Sequence, residues 1–558
     1  MKDKKIIFTL LSICFLAFIL RVWRLEEFPP SLHWDEVSWG YNAYSVLKTG
    51  RDEYGNFLPL IFKAYGDYKS AALVYLTVPS VALFGLTEFA VRFPAALFGV
   101  FDVFLIFFFV KKLFEGFKDR QTVALLSSLA FALSPWDYHF SRGAWEVNIL
   151  LFVFLVAILL FLEAEKGKQR LLYLSAFFFG LGFYVYNSAK LLIPLIIMGL
   201  LIFFFDKVKQ FKSKTWLICG VILLVMVLPI FSYTFFGGAG GRLKIMSLFS
   251  YPRSENEASV IVQQEGGTTT RTLEYQVFHG APIYFLRIFT EHYLNHFSPR
   301  FLFFEGDWTD PRHSVPMAGQ MNYLDMVFLP AGLYFLISRK LKNQSFMWYF
   351  LLISPLPAAL TRNIIQANRS FFMVLPLTML SAFGMYFIWQ LVREKKLLRI
   401  PIVTAGVIVY LFSFISYLDQ FFVHAPIQYS DYWLYGYKQA VQFIAGKTQN
   451  YSRVIFTQKY GQPYMYYLFY TKYSPEKYQK QAKLVENPEG DVGMVTNIDN
   501  IEFRDIYWPA DRFKKNSLFI GTQYELPLGD IAPKESKVLQ QINFLNGTTA
   551  FRIVETLK

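Results

Sequence analysis

The sequence predicts an all-α polytopic membrane bundle, with helices along its outer face and a small α/β domain at its C-terminal end. Three observations predict it. Of 558 residues, 54% are hydrophobic and only 17% are charged, against about 25% charged in a soluble domain. The deficit is concentrated in long apolar runs, the mark of membrane spans. Beyond residue 420 those runs stop, and short strand-like segments replace them: RVIFT (453–457), GMVTN (493–497), SLFIG (517–521) and AFRIV (550–554).

About eleven spans are expected, at approximately 5–24, 90–113, 122–138, 147–163, 171–187, 190–205, 216–236, 323–338, 346–361, 370–391 and 400–419. The first follows a basic start and runs into Arg21-Val-Trp-Arg24 rather than a small-residue cleavage site, so it reads as an uncleaved span. The run 71–85 covers roughly 22 Å as a helix, short of a ~30 Å hydrocarbon core. If it lies in the outer interface, the basic clusters at Lys2–Lys5, Lys111–Arg120, Lys166–Arg170, Lys207–Lys214, Arg339–Lys342 and Arg393–Arg399 share one side. That side is then cytoplasmic, together with the N-terminus. The net charge of +14 is absorbed by these loops and does not indicate a nucleic-acid partner. Cys14 and Cys219 both sit in apolar runs, which excludes a disulfide framework and a cysteine-rich zinc site. Gly237–Gly241 reads as a flexible exit from a span.

The segments between the basic loops then face outward: 25–89, 139–146, 237–322, 362–369 and 420–558. The first carries Trp34-Asp35-Glu36 among interfacial aromatics, and Lys69 just before the run 71–85. An Asp-Glu pair also suits a first helical turn, and an interfacial lysine often snorkels. The second, SPWDYHFSRGAWEVN, packs Asp137, His139, Arg142 and Glu146 into a short connection. Arg142 and Glu146 are spaced to pair on a helix, yet charge at a bundle mouth points to function. The third holds Asp307, Asp310, Arg312 and His313; the fourth offers Arg362 and Arg369, either an interfacial anchor or a phosphate ligand.

At these residues the sequence resembles GT-C-fold membrane glycosyltransferases of the protein O-mannosyltransferase and aminoarabinose-transferase type (PMT-like and RgtA-like). The likeness rests on HWDE at 33–36, GDYK at 66–69, EFAVRFPAALFGV at 88–100 and SPWDYHFSRGAWEVN at 134–148, and covers roughly residues 1–400. With the charge pattern it gives a catalytic domain over 1–420; the extracytoplasmic domain over 421–558 lies outside the likeness, and acceptor binding is its expected task. The likeness also implies transfer of a sugar from a polyprenyl-phosphate carrier to a protein, glycan or lipid acceptor outside the plasma membrane. Asp35 would be the general base with Glu36 beside it. Lys69, Arg142, Glu146, His313 and Arg369 would bind donor or substrate, Glu146 standing where mannosyltransferases typically carry Asp. One base with direct displacement predicts inversion. Asp35, Glu36, Glu146 and His313 could take a divalent cation, but no compact ligand motif is present and no metal is assigned. A transporter or lipid flippase is the alternative; it should place charges mid-membrane and show paired halves, and neither is visible.

Overall fold

The protein, seen in a computed structural model, is described over residues 2–165, 167–236, 245–486 and 492–557. Gly237–Gly241 therefore lies outside the described residues. The principal helices are α1 (Lys2–Val22), α2 (Trp34–Thr49), α3 (Ala72–Phe84), α4 (Glu88–Leu113), α5 (Arg120–Ala132), α6 (Pro135–Phe140), α7 (Val147–Glu163), α8 (Gln169–Gly182), α9 (Ala189–Phe203), α10 (Ser213–Phe236), α11 (Asp325–Arg339), α12 (Gln344–Ile353), α13 (Val374–Val392) and α14 (Lys396–Asp419). Each of the eleven expected spans overlaps a helix, but 122–138 is divided between α5 and α6, and 171–187 and 346–361 run past the ends of α8 and α12. Among the described residues, five segments are long and apolar enough to cross a bilayer: Lys4–Val22, Glu88–Leu113, Ser213–Phe236, Phe371–Val392 and Leu397–Gln428. The count of eleven spans is thus not established. The run 71–85 forms the 13-residue α3.

Leu217, Leu224, Val225 and Leu228 on α10 are exposed. Such a row of exposed apolar residues on a helix long and apolar enough to cross a bilayer suits contact with lipid. α7 and α13 instead bury most of their residues. Close packing reaches the backbone where α11 crosses α13. A Cβ on Gly332 would overlap the Leu380 carbonyl, and one on Gly384 would overlap the Phe328 carbonyl. Gly384→Val should therefore push the two helices apart, at a cost of about 1–3 kcal/mol. The check is the thermal melting of the solubilised protein; an unchanged midpoint would show the crossing to be loose.

The interhelical loops gather at two ends. At one, Asn343 donates to the Leu113 carbonyl (2.9 Å), Lys112 pairs with Glu163 (3.4 Å), and Lys207 reaches the Leu162 carbonyl. At the other, the Ala144 N–H donates to Glu36 (2.9 Å), the Ala367 N–H to Asp307 (2.9 Å), and Arg21 pairs with Asp137. The basic loops that hold Lys112, Lys207 and Lys342 thus share one end, and the candidate residues lie at the other.

A hairpin of β1 (Ile61–Ala64) and β2 (Asp67–Ser70) precedes α3. Its two-residue turn holds Tyr65 at φ 38° and Gly66 at φ 87°, the positive pair that a tight hairpin requires. The C-terminal sheet domain contains β3 (Arg453–Phe456), β4 (Leu484–Val485), β5 (Met494–Val495), β6 (Asn497–Ile498), β7 (Ile501–Phe503), β8 (Ser517–Gly521), β9 (Ser536–Asn543) and β10 (Thr549–Thr556). Six of them form a sheet in the order β6-β7-β3-β8-β10-β9, with β3 parallel to both β7 and β8. This domain packs on α2: Tyr466 donates to the Leu32 carbonyl (3.0 Å), Tyr41 to the Tyr473 carbonyl (3.1 Å), and Gln479 to the Asp52 carbonyl (2.9 Å).

Candidate active site

The site is built around the start of α2. Glu36 sits in the first helical turn and accepts from the His33 N–H (3.0 Å), half of a capping box. That hydrogen bond fixes where the helix begins, and so where Asp35 points. The Asp35 carboxylate pairs with Lys69 from β2 and accepts from the Tyr65 hydroxyl at the hairpin turn. Lys69 is buried, its ammonium 5.1 Å from the Trp39 ring and 4.9 Å from the Tyr65 ring. Burial alone would raise the Asp35 pKa, but the Lys69 ammonium and then His33 outweigh it and hold the carboxyl well below its usual range.

His33 extends the network. Burial and the Arg312 guanidinium push its pKa down to about 4, so it is neutral at pH 7. Arg312 donates to His33 Nε2 (2.7 Å), which places the ring proton on Nδ1, facing Asp35 Oδ2 at 3.5 Å. Asp310 orients Arg312 through two hydrogen bonds of 3.0 and 2.7 Å. Glu146, at the N-terminus of α7, is buried on another side of the same group. Burial pushes its carboxyl up to about 8, with Lys69 pulling it down and Asp35 pushing it up. Arg369 lies near Met246 and Tyr186, with Glu146 in the same neighbourhood. Asp35, Lys69, Glu146 and Arg369 are therefore linked around one region.

Three expected residues have other tasks. Arg142 does not pair with Glu146, because the chain between α6 and α7 is not one helix. It is fully buried and caps the C-terminus of α1, donating to the carbonyls of Leu20 (2.8 Å), Arg21 (3.2 Å), Trp23 (2.8 Å), Arg24 (3.3 Å) and Phe28 (3.4 Å). Glu36 is also committed: beyond His33 it takes Arg92 Nε (3.0 Å) and the Ala144 N–H, so it positions α2 and has no free face toward a substrate. His313 donates to Asp307 (2.9 Å), leaving its neighbour Arg312 as the residue that reaches the site. With Glu36 and His313 engaged in this way, the four residues weighed for a divalent ion are not gathered; among the described residues, no three His, Cys, Asp or Glu side chains form a metal cluster.

The residues not singled out from sequence are His33 and Tyr65; Arg312 was named in the third outer segment but given no role. His33 and Arg312 stood inside the motifs HWDE and DPRH. Tyr65 carried the signal of a Tyr-Gly hairpin turn.

The buried, raised Glu146 carboxyl makes stability depend on pH. Its folded pKa of about 8 lies above the ordinary 4.5, so its contribution is fully present below about 4.5 and is lost as pH rises through 8. Thermal stability should fall from about pH 5 to 8 by at most about 1.4 kcal/mol per pH unit. Glu146→Gln should flatten this profile; a profile unchanged by the substitution would remove Glu146 as its source.

Comparison with known proteins follows from this geometry. Residues 70–233 match the family model of dolichyl-phosphate-mannose-protein mannosyltransferases. No curated protein sequence matches the chain. Among solved structures, ArnT from Cupriavidus metallidurans in the apo state aligns with a TM-score of 0.54 at 11% identity, over 99% of this chain and 98% of that one. The same protein bound to undecaprenyl phosphate aligns at 0.52 and 12%, over 99% and 97%. The Archaeoglobus fulgidus oligosaccharyltransferase in its apo form aligns at 0.50 and 10%, over 84% of this chain and 64% of its own length. This chain thus spans under two thirds of the archaeal enzyme and nearly all of the bacterial one. The chain is an integral membrane protein with the GT-C fold of these structures, and its residues 70–233 match the dolichyl-phosphate-mannose-protein mannosyltransferase family model.

Proposed function

We propose that the protein transfers a sugar from a polyprenyl-phosphate-linked donor to an acceptor on the extracytoplasmic face, with inversion and with Asp35 as general base. One observation carries this reading: a carboxylate, Asp35, shares one site with a buried cation, Lys69, and with Arg312 reached through His33. Nucleotide sugars are cytoplasmic, so an outward site needs a donor that has already crossed the bilayer. Undecaprenyl phosphate bound to a protein of the same fold supports a lipid phosphate as the carrier.

In the proposed reaction the acceptor oxygen attacks the anomeric carbon and its proton passes to Asp35. The bond from that carbon to the phosphate oxygen breaks, and its electron pair stays on the lipid phosphate. Lys69, Arg312 and Arg369 supply positive charge where the leaving group gains negative charge. When Lys69 turns to the phosphate, Asp35 loses the partner that lowers its pKa most and becomes the stronger base. Neutral Glu146 can donate a hydrogen bond without repelling the phosphate. Residues 1–420 would form the catalytic domain with a cytoplasmic N-terminus, and 421–558 the extracytoplasmic domain.

The test is reconstitution in liposomes with a panel of undecaprenyl-phosphate hexoses and pentoses, and with nucleotide sugars in parallel. Transfer should occur only from a lipid-linked donor and give the inverted anomer. Use of a nucleotide sugar, or a product of retained configuration, rules the mechanism out.

A further inference from the structure

The C-terminal domain holds a groove of about 610 Å³ lined by Lys459, Tyr460, Tyr507, Trp508, Tyr524 and Asp530, among others. Its position follows from topology. β3 is flanked by two parallel neighbours, β7 and β8. Lys459 and Tyr460 follow the carboxyl end of β3, Ile506 to Pro509 follow β7, and Thr522 to Pro527 follow β8. The chain leaves β3 for one side and returns on the other. In open sheets of this kind, ligands bind in the crevice beyond the carboxyl ends of the strands where the connections diverge. The volume lies in the ordinary range for small-ligand sites, roughly 300–1,000 Å³.

A single buried carboxylate holds the three loops in place. Glu525 Oε1 accepts from the Thr457 hydroxyl (2.8 Å) and the Ile506 N–H (2.9 Å). Its Oε2 accepts from the Thr522 N–H and hydroxyl, both at 2.9 Å. One donor set comes from each strand end, so the groove floor is a built feature. Above this floor, Tyr507 and Tyr524 stand 69% and 84% exposed. Large aromatic rings left in water beside a fixed groove mark a binding surface.

We propose that this groove binds a neutral sugar chain on the acceptor, so that the acceptor is a glycan. This rests on the glycosyl-transfer reading above and names its second substrate. Three features select the occupant. The tyrosine rings offer flat apolar faces with a hydroxyl at the tip, suited to the C–H face and the hydroxyls of a pyranose or furanose. The charged residues lining the groove are Lys459, Glu525 and Asp530, and Lys459 is paired with Asp505 at 2.5 Å; this balance does not suit a phosphate or nucleotide. The sheet edges are β6 and β9, away from the β7-β3-β8 crevice, so no free strand edge is offered to an extended peptide. The groove is also joined to the candidate active site. Tyr460 lines it, and the next residue, Gly461, lies so close to Trp34 that a Cβ there would overlap the indole. Trp34 precedes Asp35, so a glycan seated in the groove has its anchoring loop against the catalytic turn.

The experiment uses the full chain in detergent on an array of immobilised neutral gluco-, manno-, galacto- and arabino-oligosaccharides, with phosphorylated glycans and unstructured peptides as further arms. Wild type should bind at least one neutral class. Tyr507→Ala with Tyr524→Ala, both at exposed positions, should weaken that binding about tenfold or more with no change in thermal melting. Asp35→Asn should bind as wild type does, so loss of transfer and loss of glycan binding are read separately. Absence of binding to every neutral glycan, equal binding by the double tyrosine variant, or binding confined to the phosphorylated or peptide arm would each overturn the proposal.

Discussion

Asp35→Asn should lower sugar transfer by about 10²–10⁴-fold, the range that a positioned general base contributes. Asn keeps the size and planar shape of the side chain, and the Glu36 to His33 capping bond that starts α2 is untouched. Insertion should therefore match wild type, with melting lowered only by the loss of the half-exposed Asp35 charge from its pair with Lys69. The kinetic signature is specific. Lys69 loses its carboxylate partner and stays available to the donor phosphate, so KM for the lipid-linked sugar should stay level or fall while kcat collapses. Lys69→Met should do the reverse to binding and raise KM. Retained turnover in Asp35→Asn, measured with a radiolabelled lipid donor, would remove the proposed base.

Arg92→Met is expected to be the most damaging change to stability. All five guanidinium N–H groups of Arg92 are used. Nε and Nη2 meet Glu36 at 3.0 and 3.3 Å, Nη1 meets the carbonyls of Leu25 (3.1 Å) and Pro29 (2.8 Å), and Nη2 meets that of Ser31 (2.6 Å). Both partners of the ion pair are buried. Removing one strands a carboxylate in a dry site, which costs about 3–5 kcal/mol. That is a large share of the ~5–15 kcal/mol that separates folded from unfolded states. The single variant should accumulate poorly and melt early. Arg92→Met combined with Glu36→Leu should recover part of the loss, because no charge is left unpaired; a double variant no more stable than the single one would place the effect in the lost carbonyl contacts instead.

The bundle was legible because apolar runs carry their own signal: α1, α4, α10, α13 and α14 are visible from composition alone. Lysine and arginine placement gave an expected orientation in the membrane. The division of labour among charged residues was not. Nothing local distinguishes Asp35 from Glu36, and their roles separate only when Arg92, 56 residues on, closes on Glu36. The expected helical spacing of Arg142 and Glu146 was not met for a similar reason, since the partners of Arg142 are carbonyls at the end of α1 that any sequence supplies. Arg312 meets His33 across 279 residues, a pairing no window can see. In the terminal sheet, β9 was missed because it is an edge strand with mixed polar and apolar residues, few of them buried, and so lacks the short apolar run that marks β3 and β8.

The burial of α2 has a consequence for how the protein can be cut. From Glu36 to Ala43 every residue is out of water, and much of that shelter comes from Tyr466, Phe469 and Gln479 of the terminal region. A chain ending near residue 420 would leave the helix that carries Asp35 with its roof removed. The terminal region is thus part of the housing of the candidate site, and a truncated chain is a different object from a smaller version of the same one.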